Sequence, residues 1–140
     1  MHIPDSSLCP LSCILTYTAV IPFLTAASVK AIKNYKSRFI PVLLAGALFS
    51  FVVMMFDVKI PGGATGHAIG SAVLGIIFGP WIAAVSTSIA LSIQAFIFND
   101  GGITTLAANC IAMAIVPSFC SYFLFSKIFA ANKSKNLRKI

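Results

Sequence analysis

The chain is 140 residues long, 59% hydrophobic and only 9% charged, with a mean hydropathy of +0.97, whereas soluble domains carry roughly 25% charged residues. So short a chain cannot hide this many consecutive apolar stretches in one soluble core, which excludes an ordinary water-soluble domain. The net charge of +7 does not indicate nucleic acid. Nine of the ten basic residues fall in two short blocks, Lys30, Lys33, Lys36, Arg38 and then Lys127, Lys133, Lys135, Arg138, Lys139, each flanking an apolar run, and phosphate binding needs a continuous basic surface.

In chain order, Met1 to Pro10 contains no Lys or Arg, so the basic region of a cleavable signal is missing and an uncleaved first span with Met1 retained is expected. Apolar runs follow from Leu11 to Val29 and from Phe39 to Val58, the second closed by Lys59 and the turn Pro61, Gly62, Gly63. A third run, Gly66 to Gly79, is short for hydrocarbon about 30 Å thick and is expected to be tilted, thinned around or re-entrant. Pro80 opens a fourth, Trp81 to Phe98, ended by Asn99 to Gly102. The fifth runs from Ile103 to about Phe125 with an expected kink at Pro117. The pattern predicts an all-α polytopic transmembrane helical bundle of about five hydrophobic segments. It forms a single integral membrane domain over residues 1–140, with 1–10 as an outer arm and 127–140 as a basic tail.

Basic loops stay in the cytoplasm. That rule places the N-terminus outside and the C-terminus inside, and it brings Met1 to Asp5, Lys59 to His67 and Asn99 to Gly102 to one outer face. Gly66 with Gly70 and Gly75 with Gly79 have small-residue spacing for close helix packing, and Gln94, Ser86, Ser88 and Ser92 are expected as interhelical hydrogen-bond partners. Cys9, Cys13, Cys110 and Cys120 lack zinc-site spacing and read as packing residues.

Enzyme chemistry is poorly supplied: the sequence has no Glu, no HExxH and no GxxxxGK[ST] loop. Any active transport must draw its energy from partner proteins. The terminus Met1-His2-Ile3-Pro4-Asp5 offers different chemistry. The Met1 amine, the deprotonated His2 amide and His2 Nδ1 close one five-membered and one six-membered chelate ring around a single ion. A fourth planar nitrogen would complete the square preferred by nickel(II) and copper(II). His67, the other histidine of the chain, is the candidate, and Pro4 stiffens the arm. Other readings stay open: a disordered His2, or a His67 bonded to a carbonyl at a helix start. Cys9 and Cys13, one helical turn apart, are soft copper(I) donors or ordinary membrane cysteines. Asp57 assists metal entry or sits in the headgroups. Asn99 and Asp100 form a turn and helix cap, or a lid.

The opening MHIPD, the segment PGGATGHAIGSAVLGIIFGPW (Pro61 to Trp81) and the segment QAFIFNDGGITTLAANCIAMAIV (Gln94 to Val116) resemble the substrate-capture component of nickel/cobalt energy-coupling factor transporters, the CbiM/NikM type. The resemblance implies metal ligands at Met1, His2 and His67 and nickel(II) or cobalt(II) as transported substrate. It further implies a transmembrane coupling protein and two cytoplasmic ATPases as partners, with a small accessory membrane subunit, in the cell inner membrane. Gly63 to His67 followed by Ala68 is more similar to the nickel branch than to the cobalt branch. Ala27 and Ala31 are candidate contacts with the coupling protein, or ordinary small membrane residues. Two departures are visible. The family commonly has a glycine after the acid where this chain has Asp5-Ser6-Ser7, and it usually continues through one or two more spans. The second leaves a shortened, non-transporting membrane interaction protein as the alternative function.

Overall fold

The computed structural model describes residues 2–56, 58–61 and 64–137. Met1, Asp57, Gly62, Gly63 and the last three residues of the basic tail, on which several expectations fall, lie outside them. Pro10 opens α1 (Pro10–Tyr35) at a position where its missing N–H leaves no bond unmade. A 3-10 turn at Lys36–Arg38, with Lys36 at φ 49°, reverses the chain into α2 (Phe39–Met54).

The apolar run of α2 extends in sequence to Val58, yet the helix ends at Met54 and the chain becomes extended. Strands β1 (Val58–Ile60) and β2 (Ala64–Gly66) pair antiparallel with Val58 opposite Gly66 and Ile60 opposite Ala64. This hairpin is a correction to the all-α expectation. Its cause is local: β-branched Val58, Ile60 and Thr65 favour strands, and a turn-rich tip lets them pair.

The third run yields α3 (Ser71–Phe78), whose eight residues rise about 12 Å, too little to cross a bilayer. Gly79, at φ 82°, and Pro80 then start α4 (Pro80–Ile97). Helix α5 (Leu106–Asn109) continues through a π-helical stretch, Cys110–Ile115, into α6 (Val116–Leu137). The irregularity expected at Pro117 therefore takes the form of widened turns just ahead of the proline. Among the described residues, the stretches long and apolar enough to cross a membrane are Pro10–Met54, which folds as α1 and α2, then Pro80–Ile97 and Leu106–Phe129. Large apolar side chains such as Leu15, Leu44, Leu48, Phe96 and Phe123 point outward, as suits a protein whose solvent on those faces is lipid.

Helix α4 is the axis of the bundle, packed against α1, α2, α3 and α6 and burying Ile82, Ala83, Ala84, Thr87, Ala90 and Leu91. Small residues set these approaches. A Cβ on Gly46 would lie 2.8 Å from Ser86 Oγ, and one on Gly75 would lie 2.5 Å from the Ser118 carbonyl oxygen. Gly75 thus packs as expected. Gly79 does not, for nothing lies within 4 Å of its virtual Cβ, and it serves through its left-handed backbone.

The expected interhelical bonds are redistributed. Ser86 and Ser92 donate to carbonyls of their own helix, Ala83 and Ser88. Neither Ser88 Oγ nor the Gln94 amide has a protein partner. Helices are instead bridged by Ser50 with Thr87 (3.1 Å) and by Ser118 donating to the Ser71 carbonyl (3.3 Å). Ala27 and Ala31 are buried beside Leu43, Ile82 and Val85, where their small side chains let the helices approach closely.

Candidate metal-capture site

At the end of the bundle opposite the Lys36–Arg38 turn, the N-terminal arm lies across the loop after α4. Gly102 N–H donates to the Ile3 carbonyl at 3.0 Å. Asn109 grips the backbone of Ile3 at both its groups: its Oδ1 accepts the Ile3 N–H at 2.9 Å and its Nδ2 donates to the Ile3 carbonyl at 3.2 Å. Thr105 Oγ1 adds a bond to that carbonyl at 2.6 Å. Asp5 Oδ1 accepts from Thr104 N (2.8 Å) and Thr104 Oγ1 (2.6 Å), and these bonds hold its carboxyl below the usual range.

Two adjacent glycines make room for this docking. Gly101 has φ 99°, and a Cβ there would sit 2.9 Å from His2 Cβ. A Cβ on Gly102 would overlap the Asp5 amide nitrogen and come within 2.5 Å of Thr105 Oγ1. The loop itself turns at Asn99, φ 53°, a conformation asparagine tolerates better than most residues. Of the two readings of Asn99 and Asp100, Asn99 makes the turn and Asp100 reaches the arm.

Docking seats His2 beside His67, which follows β2, with ring centroids 5.3 Å apart. The His2 side chain is 2% exposed. Its Nδ1 lies 2.9 Å from Asp100 Oδ1, while His67 Nδ1 lies 3.4 Å from the Ala68 carbonyl oxygen. Both Nε2 atoms are buried without a protein partner. An imidazole whose Nδ1 faces an oxygen carries its proton there and leaves the Nε2 lone pair free. Burial lowers the His2 pKa against the opposing pull of Asp100, so the ring is held in the neutral form that metals require. The chelate deduced from sequence uses His2 Nδ1, the nitrogen that Asp100 occupies here. Among the described residues no group of three or more His, Cys, Asp or Glu side chains is placed to hold a metal. A cavity of about 360 Å³ between α1 and α4 is lined mainly by apolar groups and contains neither histidine.

The profile of the CbiM family, described as the cobalt uptake substrate-specific transmembrane region, matches residues 2–140. The chain belongs to this family. It is 45% identical over 116 residues to the fused nickel transport protein NikMN of Rhodobacter capsulatus, covering 83% of this chain and 33% of that protein. With the cobalt transport protein CbiM of Thermosipho melanesiensis it shares 32% identity over 96% of this chain and 58% of the relative. A crystal structure of a truncated transition metal transporter superposes with a TM-score of 0.86 at 41% identity, over 94% of this chain and 62% of that one. The chain thus spans between a third and about three-fifths of the length of these relatives.

Within this CbiM-family chain, the arm anchors Asp5, Thr104, Thr105 and Asn109 were not identified as site residues from sequence. For Thr104, Thr105 and Asn109 the signal is polar residues soon after the double glycine, inside an otherwise apolar segment. The Asp5-Ser6-Ser7 departure has a structural counterpart: Ser6 is held at φ 68° in a turn closed by Ser7 N–H and the Pro4 carbonyl (3.4 Å), where glycine is the unstrained residue. Left-handed backbone costs a non-glycine residue about 1–2 kcal/mol, partly offset by glycine's extra unfolded-state entropy of about 0.4–1 kcal/mol. Ser6→Gly is therefore expected to stabilise the docked arm by about 0.5–1 kcal/mol, read as severalfold slower hydrogen exchange of the Ile3 amide. Faster exchange would show that the serine is preferred in this turn.

Proposed function

We propose that this chain is the substrate-capturing membrane subunit of an energy-coupling factor type importer for a divalent transition metal, nickel(II) favoured over cobalt(II). One observation carries the reading: a terminal arm, anchored by backbone and side-chain bonds, holds the buried His2 ring beside His67 with ring centroids 5.3 Å apart. The proposed ligands are the Met1 amine, the His2 amide and Nδ1, and His67. Asp100, half exposed, competes with the metal for Nδ1 and must swing aside on capture, so the Asn99–Asp100 loop acts as a lid. With the basic turn and tail in the cytoplasm, the arm faces outward at the plasma membrane. A transmembrane coupling protein and cytoplasmic ATPases supply the energy, since the chain has no P-loop. The nickel preference rests on Ala68 after His67 and on relatives named nickel transport proteins.

The test is titration of the detergent-solubilised protein with nickel and with cobalt, beside a form acetylated at the Met1 amine. Tight one-to-one nickel binding with a square-planar absorption band is expected, and acetylation should abolish both by turning the amine into an amide without supplying a new one. Binding indifferent to acetylation would overturn the chelate. Capture of the coupling protein without metal uptake in cells would leave the shortened interaction protein as the better reading.

A further inference from the structure

The opposite end of the molecule carries a second built feature. Between α1, the α3–α4 turn and α6 lies a cavity of about 310 Å³, lined by Ala31, Asn34, Gly79, Pro80, Trp81 and Tyr122 among others. That volume falls at the lower edge of small-ligand sites, roughly 300–1,000 Å³. Lys30 Nζ stands 3.9 Å over the Trp81 ring, and Trp81 is fixed in turn by Phe119 (4.8 Å) and Phe23 (6.0 Å).

Charge is segregated along the axis. Lys30, Lys33, Lys36, Arg38 and Lys127 lie on the elements that form this end. Asp5 and Asp100 stand at the histidine end, and Asp57, the remaining carboxylate of the chain, falls in sequence between α2 and β1. Among the described residues no carboxylate lines the cavity, and Lys30 meets its wall at the Trp81 ring. Basic pockets between transmembrane helices on the cytoplasmic side suit anionic lipid headgroups, and Trp81 and Tyr122 are amphipathic residues of the kind found at headgroup depth.

We infer that this cavity is a binding site for the headgroup of an anionic phospholipid, with Lys30 held on Trp81 to meet the phosphate and Asn34 and Tyr122 at its rim. The acyl chains run down the exposed apolar faces beside it. Only the choice of leaflet depends on the orientation proposed above. The headgroup site itself is independent of metal capture.

Native mass spectrometry of the full chain in detergent, offered dioleoylphosphatidylglycerol or dioleoylphosphatidylcholine, tests it. One retained anionic lipid is expected, preferred over the zwitterionic one by about fivefold or more, the effect of one basic group near an anionic surface. Lys30→Gln and Trp81→Leu should each remove most of that preference. Lys59→Gln, which removes the same charge from the hairpin end, should leave it intact, and excess inorganic phosphate should not displace the lipid. Equal retention of both lipids, an equal response to Lys30→Gln and Lys59→Gln, or displacement by phosphate would overturn the site. Monodisperse elution of each variant separates loss of the lipid from loss of the fold.

Discussion

Asn109→Leu is expected to weaken nickel binding by about 30-fold or more while the helical bundle stays assembled. The carboxamide of Asn109 is 2% exposed and satisfies both hydrogen-bonding groups of Ile3, the residue that follows the proposed chelating histidine. Leucine is close in volume, so packing around α5 is largely preserved and the loss is one of polar satisfaction. Each intramolecular hydrogen bond contributes about 0.5–1.5 kcal/mol net, and a buried polar group left without a partner costs a further 1–3 kcal/mol or so. The Ile3 carbonyl keeps Gly102 N–H and Thr105 Oγ1, but the Ile3 N–H has Asn109 as its one partner here. The net penalty is therefore about 2–4 kcal/mol, which the docked arm can escape only by lifting away with His2. Helical content by circular dichroism should be unchanged. A nickel affinity within threefold of the parent protein would mean that the Asp5–Thr104 and Gly102 contacts hold the arm without the clamp.

What could be read in advance from the chain divides by range. His2 and His67 were legible because the sequence has no other imidazole and a backbone chelate depends only on position in the chain. The start of α4 was legible at Pro80, where proline marks a first helical turn. The clamp was not, since Asn109 and Ile3 are separated by 106 residues and an asparagine in an apolar run carries no mark of its partner. Hydropathy also misread two boundaries for one reason: it sees polarity and not backbone geometry. Val58 is as apolar in a strand as in a helix, so the end of α2 was carried too far. The run after His67 is apolar throughout, yet left-handed Gly70 and Gly79 confine its helix to Ser71–Phe78. The serines of α4 show the same limit at the level of contacts. Whether Ser86 bonds across to a neighbour or back to Ala83 depends on how closely Gly46 lets α2 approach, which no local pattern states.

His67→Ala is expected to cost about 3 kcal/mol of metal binding, close to two orders of magnitude, and to leave a residual nickel site on the arm. Taking the roughly 10–16 kcal/mol of a four-ligand structural zinc site as the scale, one monodentate ligand accounts for about a quarter. His2→Ala removes the imidazole that closes the six-membered chelate ring and should cost more than His67→Ala. The order of the two effects discriminates between geometries. If the metal instead bridged the two free Nε2 atoms, which the 5.3 Å ring separation brings near each other, both histidines would be equivalent monodentate donors and the two losses would match. Under the chelate, a water can take the place of His67 in the plane, so the variant should keep a planar nickel band at higher metal concentration while His2→Ala loses it. Isothermal titration with absorption spectra of both variants reads the two quantities together. Equal losses with no planar band in either would replace the backbone chelate by a bridged pair of imidazoles.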